Sequence, residues 1–256
     1  MKRFSSIVIT GASSGIGEAL AIDYAAPGVA LALTGRASGR LEAVAAACRA
    51  KGATVAAATI DIVDRAALAA WLTDFDDAYP VDLILANAGI SIDKDNSSLD
   101  DFSVIRQTLD VNFGGVLNTV EPLLSRLIAR KRGQIAVVSS LAGFIGLPYS
   151  ASYNASKAAV RVWGESIRYV LKKDGIGVSV VCPGFVVTRL TADAPFPMPF
   201  LMSAARASAI IRRGLAANRA RIAFPFGTKA AVWLGGILPG AWTARLMGGQ
   251  VFSPSI

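Results

Sequence analysis

The run Phe4 to Thr10, with Ile7, Val8 and Ile9 at its centre, leads straight into Gly11-Ala12-Ser13-Ser14-Gly15-Ile16-Gly17. A buried strand emptying into a glycine-rich turn leaves few folds open. The glycines allow the tight turn, and a helix starting near Gly15 would aim its free N–H groups at a pyrophosphate. The spacing is G-x-x-x-G-x-G, not the G-x-G-x-x-G of two-domain dinucleotide enzymes.

The rest of the chain alternates in the same way. Strands are predicted over Val29 to Thr34, Thr54 to Ile60, Leu83 to Ala86, Gln134 to Ser139, Gly177 to Val181 and Arg221 to Phe224. Helices are predicted over Ser38 to Lys51, Asp64 to Phe75, Val111 to Arg130, Ser152 to Lys172 and Ser203 to Ala217. Gly52 is a good stop for the first of these. Short apolar strands separated by helices give a parallel sheet covered on both faces. No repeat or linker interrupts the 256 residues, so the fold class expected is α/β, one doubly wound Rossmann-type domain of about seven strands. Residues from about 188 onward are expected to build its substrate lobe.

Composition removes several chemistries. There is no histidine, which excludes Ser-His and Cys-His hydrolases and leaves no plausible zinc site, so no metal is expected. The two cysteines, Cys48 and Cys182, read as core residues of a protein from the reducing cytosol. Mean hydropathy is high at +0.49, yet no run approaches 18 uncharged apolar residues, so a spanning helix is not expected. Met1-Lys2-Arg3 precedes only the first strand, which does not read as a secretory signal.

A second constellation lies in Ser139 to Lys157. Tyr153 and Lys157, four apart, share one face of a helix. An ammonium beside a phenol favours the phenolate, lowering a pKa that is otherwise near ~10. Such a tyrosine can serve as general acid and base. Ser140 follows a predicted strand and could hydrogen-bond the same substrate oxygen. Tyr-x-x-x-Lys alone is a weak signal.

Together, Thr10 to Gly17, Asn87-Ala88-Gly89, Asn112, Ser140, Tyr153, Lys157 and Pro183-Gly184 with Thr188 resemble the short-chain dehydrogenase/reductase family in its single-domain form. The resemblance covers about the first 190 residues in order and spacing. It implies that Gly11, Ser13, Ser14, Gly15, Ile16 and Gly17 hold the cofactor phosphates. Asp61, with Ile62 beside it, would receive the adenine amino group; a turn residue before the next helix is the alternative. Asn87, Ala88 and Gly89 would pack beside the adenine ribose. Pro183, Gly184, Val186 and Thr188 would line and hold the nicotinamide. Ser140, Tyr153 and Lys157 would be catalytic, and Asn112 would order a water linking Lys157 to solvent. A core-satisfied asparagine is the plainer reading.

Cofactor choice turns on the second strand. Folds that select NAD place an acidic residue about twenty positions after the glycine loop. Here Gly35 stands there and Arg36 follows. A guanidinium can bind a 2′-phosphate with paired hydrogen bonds, so NADP(H) is expected over NAD(H). Arg40 is a second candidate contact, and a solvated loop charge is the alternative for Arg36.

Two further expectations concern surfaces. Val116, Leu117, Val120, Leu123, Leu124 and Leu127 form one wide apolar stripe, and Val160, Val162, Trp163, Ile167 and Val170 form another. Relatives pair these helices with their copies, so a homodimer or homotetramer is expected. After Asp193 the chain has no acidic residue but seven basic ones, within a formal net charge of +8. With the apolar run Ala230 to Trp242, they suggest either a solvated basic face or an apolar substrate mouth resting on anionic membrane. Nucleic acid is not expected, for want of a binding motif. The activity expected is carbonyl–alcohol interconversion on an apolar or acyl-like substrate. The rivals are an epimerase or dehydratase on the same scaffold and a non-catalytic NADP-binding sensor.

Overall fold

A computed structural model describes residues 3–91, 101–146, 150–192 and 198–227. Seven strands form one sheet in the order β3-β2-β1-β4-β5-β6-β7, every neighbouring pair parallel. They are β1 (Ser6–Thr10), β2 (Ala30–Thr34), β3 (Thr54–Ala58), β4 (Leu83–Ala86), β5 (Gly133–Val138), β6 (Ile176–Pro183) and β7 (Arg221–Phe224). β1, β2, β4, β5 and β6 are buried throughout, as strands covered on both faces must be.

The helices are α1 (Gly15–Tyr24), α2 (Ser38–Ala50), α3 (Arg65–Ala78), α4 (Phe102–Leu109), α5 (Gly115–Arg130), α6 (Ala151–Leu171) and α7 (Ala204–Ala216). Alternate strand residues feed two cores. One gathers Ile7, Ile9, Leu31 and Leu33 with Leu20, Leu41 and Ile211. The other gathers Val8, Ile84, Ile135 and Val180 with Leu72, Leu123 and Val160. Strand order reverses between β1 and β4, and such a switch point opens a crevice at the carboxyl ends of the strands.

Three expectations need correction. The single helix expected over Val111 to Arg130 is instead α5 preceded by a π turn, Asp110–Gly114, and by α4, which is capped by Asp101. β3 ends at Ala58, so Asp61 lies in the following loop. β6 runs to Pro183, which pairs with Phe224, so Cys182 lies inside a strand. Both cysteines are buried and free.

The two apolar stripes and the basic residues have different surroundings. On α5, Val116, Val120, Leu123 and Leu127 are consumed by the protein's own core. On α6, Val162 and Val170 remain exposed beside Tyr169, which is 82% exposed. Of the C-terminal basic residues, Arg221 pairs with Glu165, and Arg212 lies 4.9 Å from the Tyr24 ring. Lys229, Arg245 and the run Ala230 to Trp242 fall outside the described residues. Among the described residues no helix is long and apolar enough to cross a membrane, and no cluster of side chains suits a metal ion.

Candidate active site

The glycine turn depends on having no side chains at its glycines. Gly11 and Gly15 adopt φ of +66° and +61°, a region that side chains disfavour. A Cβ at Gly17 would stand 2.3 Å from the Gly11 carbonyl oxygen. Asn87 holds the turn from the next strand, its Nδ2 donating to the Thr10 carbonyl at 2.9 Å and the Gly11 carbonyl at 3.3 Å. The Asn87 and Ala88 N–H groups donate to Thr10 Oγ1.

At the start of α1, Ser14 makes no side-chain capping bond. At α3, α4 and α7, by contrast, Asp64, Asp101 and Ser203 accept from Ala67, Ser103 and Arg206 N–H. The first N–H groups of α1 are thus left uncapped by their own cap residue, which is what an anion at that position requires. Thr188 closes over the turn: a Cβ at Gly15 would meet its methyl at 2.8 Å. Gly35 stands under Ser13, and a Cβ there would come within 2.9 Å of Ser13 Oγ. An acidic side chain at position 35 would therefore displace Ser13 as well as alter the charge.

The second cluster forms where β5 ends. Ser139 Oγ donates to the Lys157 carbonyl at 2.7 Å, fastening the strand end to α6. Ser140 caps a short 3-10 turn, Leu141–Phe144, accepting from Ala142 N–H at 3.1 Å. Its hydroxyl is also hydrogen-bonded to the Tyr153 phenol. Lys157 Nζ lies 5.7 Å from the Tyr153 ring centroid and donates to the Val138 carbonyl at 3.0 Å. Gly89 stands beside it, where a Cβ would meet Asn112 Oδ1 at 3.0 Å and Lys157 Nζ at 3.1 Å.

Asn112 sits in the π turn with no exposed surface. Its Oδ1 accepts from Ile90 N–H at 2.7 Å, and its Nδ2 donates to the Ile90 carbonyl and Ser156 Oγ, both at 2.9 Å. Both ends of the amide are used. The plainer reading of Asn112 is thus satisfied directly: it ties α5, α6 and the Gly89 loop together beside Lys157.

The electrostatics differ from the sequence expectation. Burial raises the Tyr153 phenol above its ordinary value, with the Ser140 hydrogen bond opposing. The expected downward push from Lys157 does not prevail. Burial takes Lys157 itself down to about 8, against a smaller opposing effect of Cys182. Tyr153 is therefore a protonated phenol at neutral pH, the form that donates a proton. Burial likewise pushes Cys182 up to about 12, as befits a core thiol.

At the far end of the crevice, Arg36, Asp61, Val63, Ser103, Arg106, Gln107, Asp110 and Val111 line a cavity of about 390 Å³. Arg40 is exposed on α2 and is not among the described residues lining it. Ile62 turns away: its side chain packs against Gly115, and its carbonyl accepts from Asn118 Nδ2. Ile62 acts on this end only by fixing the loop that carries Asp61. Beyond β6, Gly184 N–H donates to the Phe224 carbonyl, and Val186 pairs with Met202 in an isolated bridge.

Several residues of the site escaped the sequence reading. Thr191 Oγ1 accepts from Thr188 N–H and donates to the Val186 carbonyl, so it shapes the segment assigned to the nicotinamide. Phe144 is flanked by Arg161 at 4.4 Å and Arg221 at 5.1 Å, and both arginines pair with Glu165. Arg161 Nε also donates to the Gly143 carbonyl, anchoring the turn after Ser140. Only the eight-residue spacing of Tyr153 and Arg161, which puts them on one face of α6, could have hinted at this. Arg106 lies on α4, a helix the sequence reading did not find.

A parallel sheet reversing at β1 and β4, with a glycine turn at the switch point, defines a dinucleotide-binding domain. The short chain dehydrogenase family profile matches residues 5–196, and the chain belongs to that family of oxidoreductases. It is 35% identical over 237 residues to an uncharacterized oxidoreductase of Myxococcus xanthus, covering 92% of this chain and 93% of that protein. It is 32% identical to dehydrogenase/reductase SDR family member 7B of Bos taurus, over 75% of this chain but only 61% of that longer protein. Among solved structures, a short chain dehydrogenase from Mycobacterium paratuberculosis bound to NAD superposes with a TM-score of 0.78 at 25% identity. That likeness covers 88% of this chain and 98% of that one. The family establishes an oxidoreductase.

Proposed function

We propose that this chain interconverts a carbonyl and a secondary alcohol with NADP(H), taking an apolar or acyl-like substrate. The observation that carries the reading is the convergence of Ser140, Tyr153 and Lys157 at the end of β5, on the same crevice as the uncapped α1 turn. The residues fit the cofactor, since the glycines let the turn pack tightly against Asn87, Ala88 and Thr188 and the first N–H groups of α1 are free of a capping side chain. When bound, the nicotinamide supplies or accepts hydride.

The chain's own residues do the rest. Ser140, already hydrogen-bonded to Tyr153, would orient the substrate oxygen beside the phenol. Tyr153 would give that oxygen its proton in reduction and take it back in oxidation. Lys157 would hold the ribose and return a proton to the tyrosine, tasks suited to an amine brought down to about 8. Asn112, by fixing Ile90 and Ser156, would keep Lys157 in place. Val186 and Thr188, braced by Thr191, would hold the carboxamide.

The apolar substrate class is supported by Val187, Leu190, Phe200 and Leu201, which are exposed along the segments following β6. Exposed Val162, Tyr169 and Val170 on α6 support association with a second copy.

NADP(H) over NAD(H) rests on Arg36, with no acidic residue at Gly35 and no room for one. Dissociation constants for NADPH and NADH test this. Arg36→Asp should weaken NADPH by roughly 1.5–3 kcal/mol for each charge-assisted bond lost and leave NADH little changed. Equal loss for both, or wild-type NADH binding as tight as NADPH, would overturn the preference.

A further inference from the structure

The cavity at the ends of β2 and β3 has an outer wall that belongs to α4. Ser103, Arg106, Gln107 and Asp110 recur at helical spacing and so share one face of that helix and its π continuation. That face looks across the cavity at Arg36, Asp61 and Val63. The volume, about 390 Å³, lies within the range of small-molecule sites.

The charged groups gathered there have little to do for the fold. Among the described residues, neither Arg36 nor Arg106 forms an ion pair, and Asp110 has no side-chain hydrogen bond. Among the described residues, the Asp61 side chain accepts only from Val63 N–H. Arg126, Arg130, Arg161 and Arg221 are paired with carboxylates, whereas Arg36 and Arg106, like exposed Arg40, Arg206 and Arg213, are not paired among the described residues; what sets these two apart is that both line the same cavity. Two unpaired guanidiniums facing one cavity indicate a ligand with something for each. A guanidinium is planar, weakly hydrated and stacks on aromatic faces. With Arg36 committed to a phosphate from the β2 side, the group left for Arg106 is the base.

We propose that Arg106 is a cofactor-binding residue of this chain, packing its guanidinium against the adenine ring as the outer wall of the adenosine pocket. The proposal rests on the dinucleotide reading given above but concerns a different part of the ligand. It separates two cations by function: Arg36 selects between cofactors, whereas Arg106 adds affinity for both. AMP, which lacks the nicotinamide half and the 2′-phosphate, should also feel it.

The test is a titration of the full chain with NADPH, NADH and AMP, comparing wild type, Arg106→Ala and Arg36→Ala. Arg106→Ala should weaken all three ligands by a similar factor, about 3- to 10-fold, the range of a cation–π contact. Its thermal unfolding should match wild type, because the side chain is exposed. Arg36→Ala should weaken NADPH alone. Unchanged affinities in Arg106→Ala would overturn the proposal. A loss confined to NADPH would also overturn it, since that places Arg106 on the phosphate. Should Arg36→Ala leave NADPH binding intact while Arg106→Ala weakens all three ligands, the cofactor-preference reading fails and the adenine contact stands.

Discussion

The two ends of the sheet bury charge in opposite ways. At the amino ends of the strands, Asp76 has a wholly buried side chain, and four hydrogen bonds meet it. Arg130 grips both oxygens at 2.8 Å, Arg126 adds a contact at 3.2 Å, and Val81 N–H donates at 2.8 Å. Burial pushes this carboxyl up, but the two arginines and Val81 outweigh it and hold it below its ordinary value. Nearby Asp82 accepts from both Ser5 and Ser6 N–H, closing the start of β1. At the carboxyl ends, Lys157 is just as buried, yet its only hydrogen-bonding partner among the described residues is the Val138 carbonyl. Here burial wins and the amine falls to about 8. A charge that serves the fold is compensated in full; one left short of partners is held ready for a ligand.

The comparison can be broken from either side. The largest effect should come from Tyr153→Phe, which keeps the ring and removes the proton: turnover should fall roughly 10²–10⁴-fold. NADPH affinity should be retained, and a variant that kept most of its turnover would end the acid–base role. Next is Asp76→Ala, which strands Arg130 and frees Val81 N–H. It should cost about 3–5 kcal/mol in urea unfolding while leaving NADPH affinity of the folded fraction unchanged. Because the folded Asp76 pKa is depressed, its stabilisation is present above the unfolded value and lost as pH falls through the folded one.

Lys157→Met should move stability the other way. The folded amine titrates near 8 and the unfolded one near 10.5, so the unfolded chain binds more protons between those values. The wild-type penalty is therefore full below pH 8 and fades as pH rises towards 10.5. Removing the ammonium should stabilise the protein by about 1–2 kcal/mol at pH 7, after allowing for the lost bond to Val138. The gain should shrink with rising pH, and both turnover and cofactor affinity should suffer. A smaller effect is expected at Arg161→Ala, which frees the Gly143 carbonyl and one face of Phe144. A loss of about 1 kcal/mol in stability is expected, together with slower turnover through Ser140.

What was legible in the chain was whatever is local. The strand before Gly11 and the helix after Gly17 announce themselves by pattern, as does the Tyr153–Lys157 spacing. Each seven-strand boundary fell within a few residues of its expected place for the same reason. The π turn was not legible; the side chain it carries, Asn112, finds its partners in Ile90, 22 residues away, and Ser156, 44 away. Helix α4 was overlooked although Phe102, Ile105 and Leu109 recur at helical spacing, because it is only eight residues long and buries Thr108 alone. The raised Tyr153 phenol was missed because burial sums contacts from several elements, whereas spacing reports only the lysine. The clamp of Arg161, Glu165 and Arg221 on Phe144 joins residues from three parts of the chain.

Carbonyl reduction in this crevice can be tested without knowing the natural substrate. Wild-type protein is given NADPH with a panel of ketones and aldehydes of graded chain length, and cofactor consumption is followed alongside alcohol formation. Consumption and alcohol formation should match, rise with the apolar length of the compound and be abolished in Tyr153→Phe. Tight NADPH binding with no carbonyl reduced anywhere on the panel would contradict this activity and leave a protein that senses the cofactor without using it.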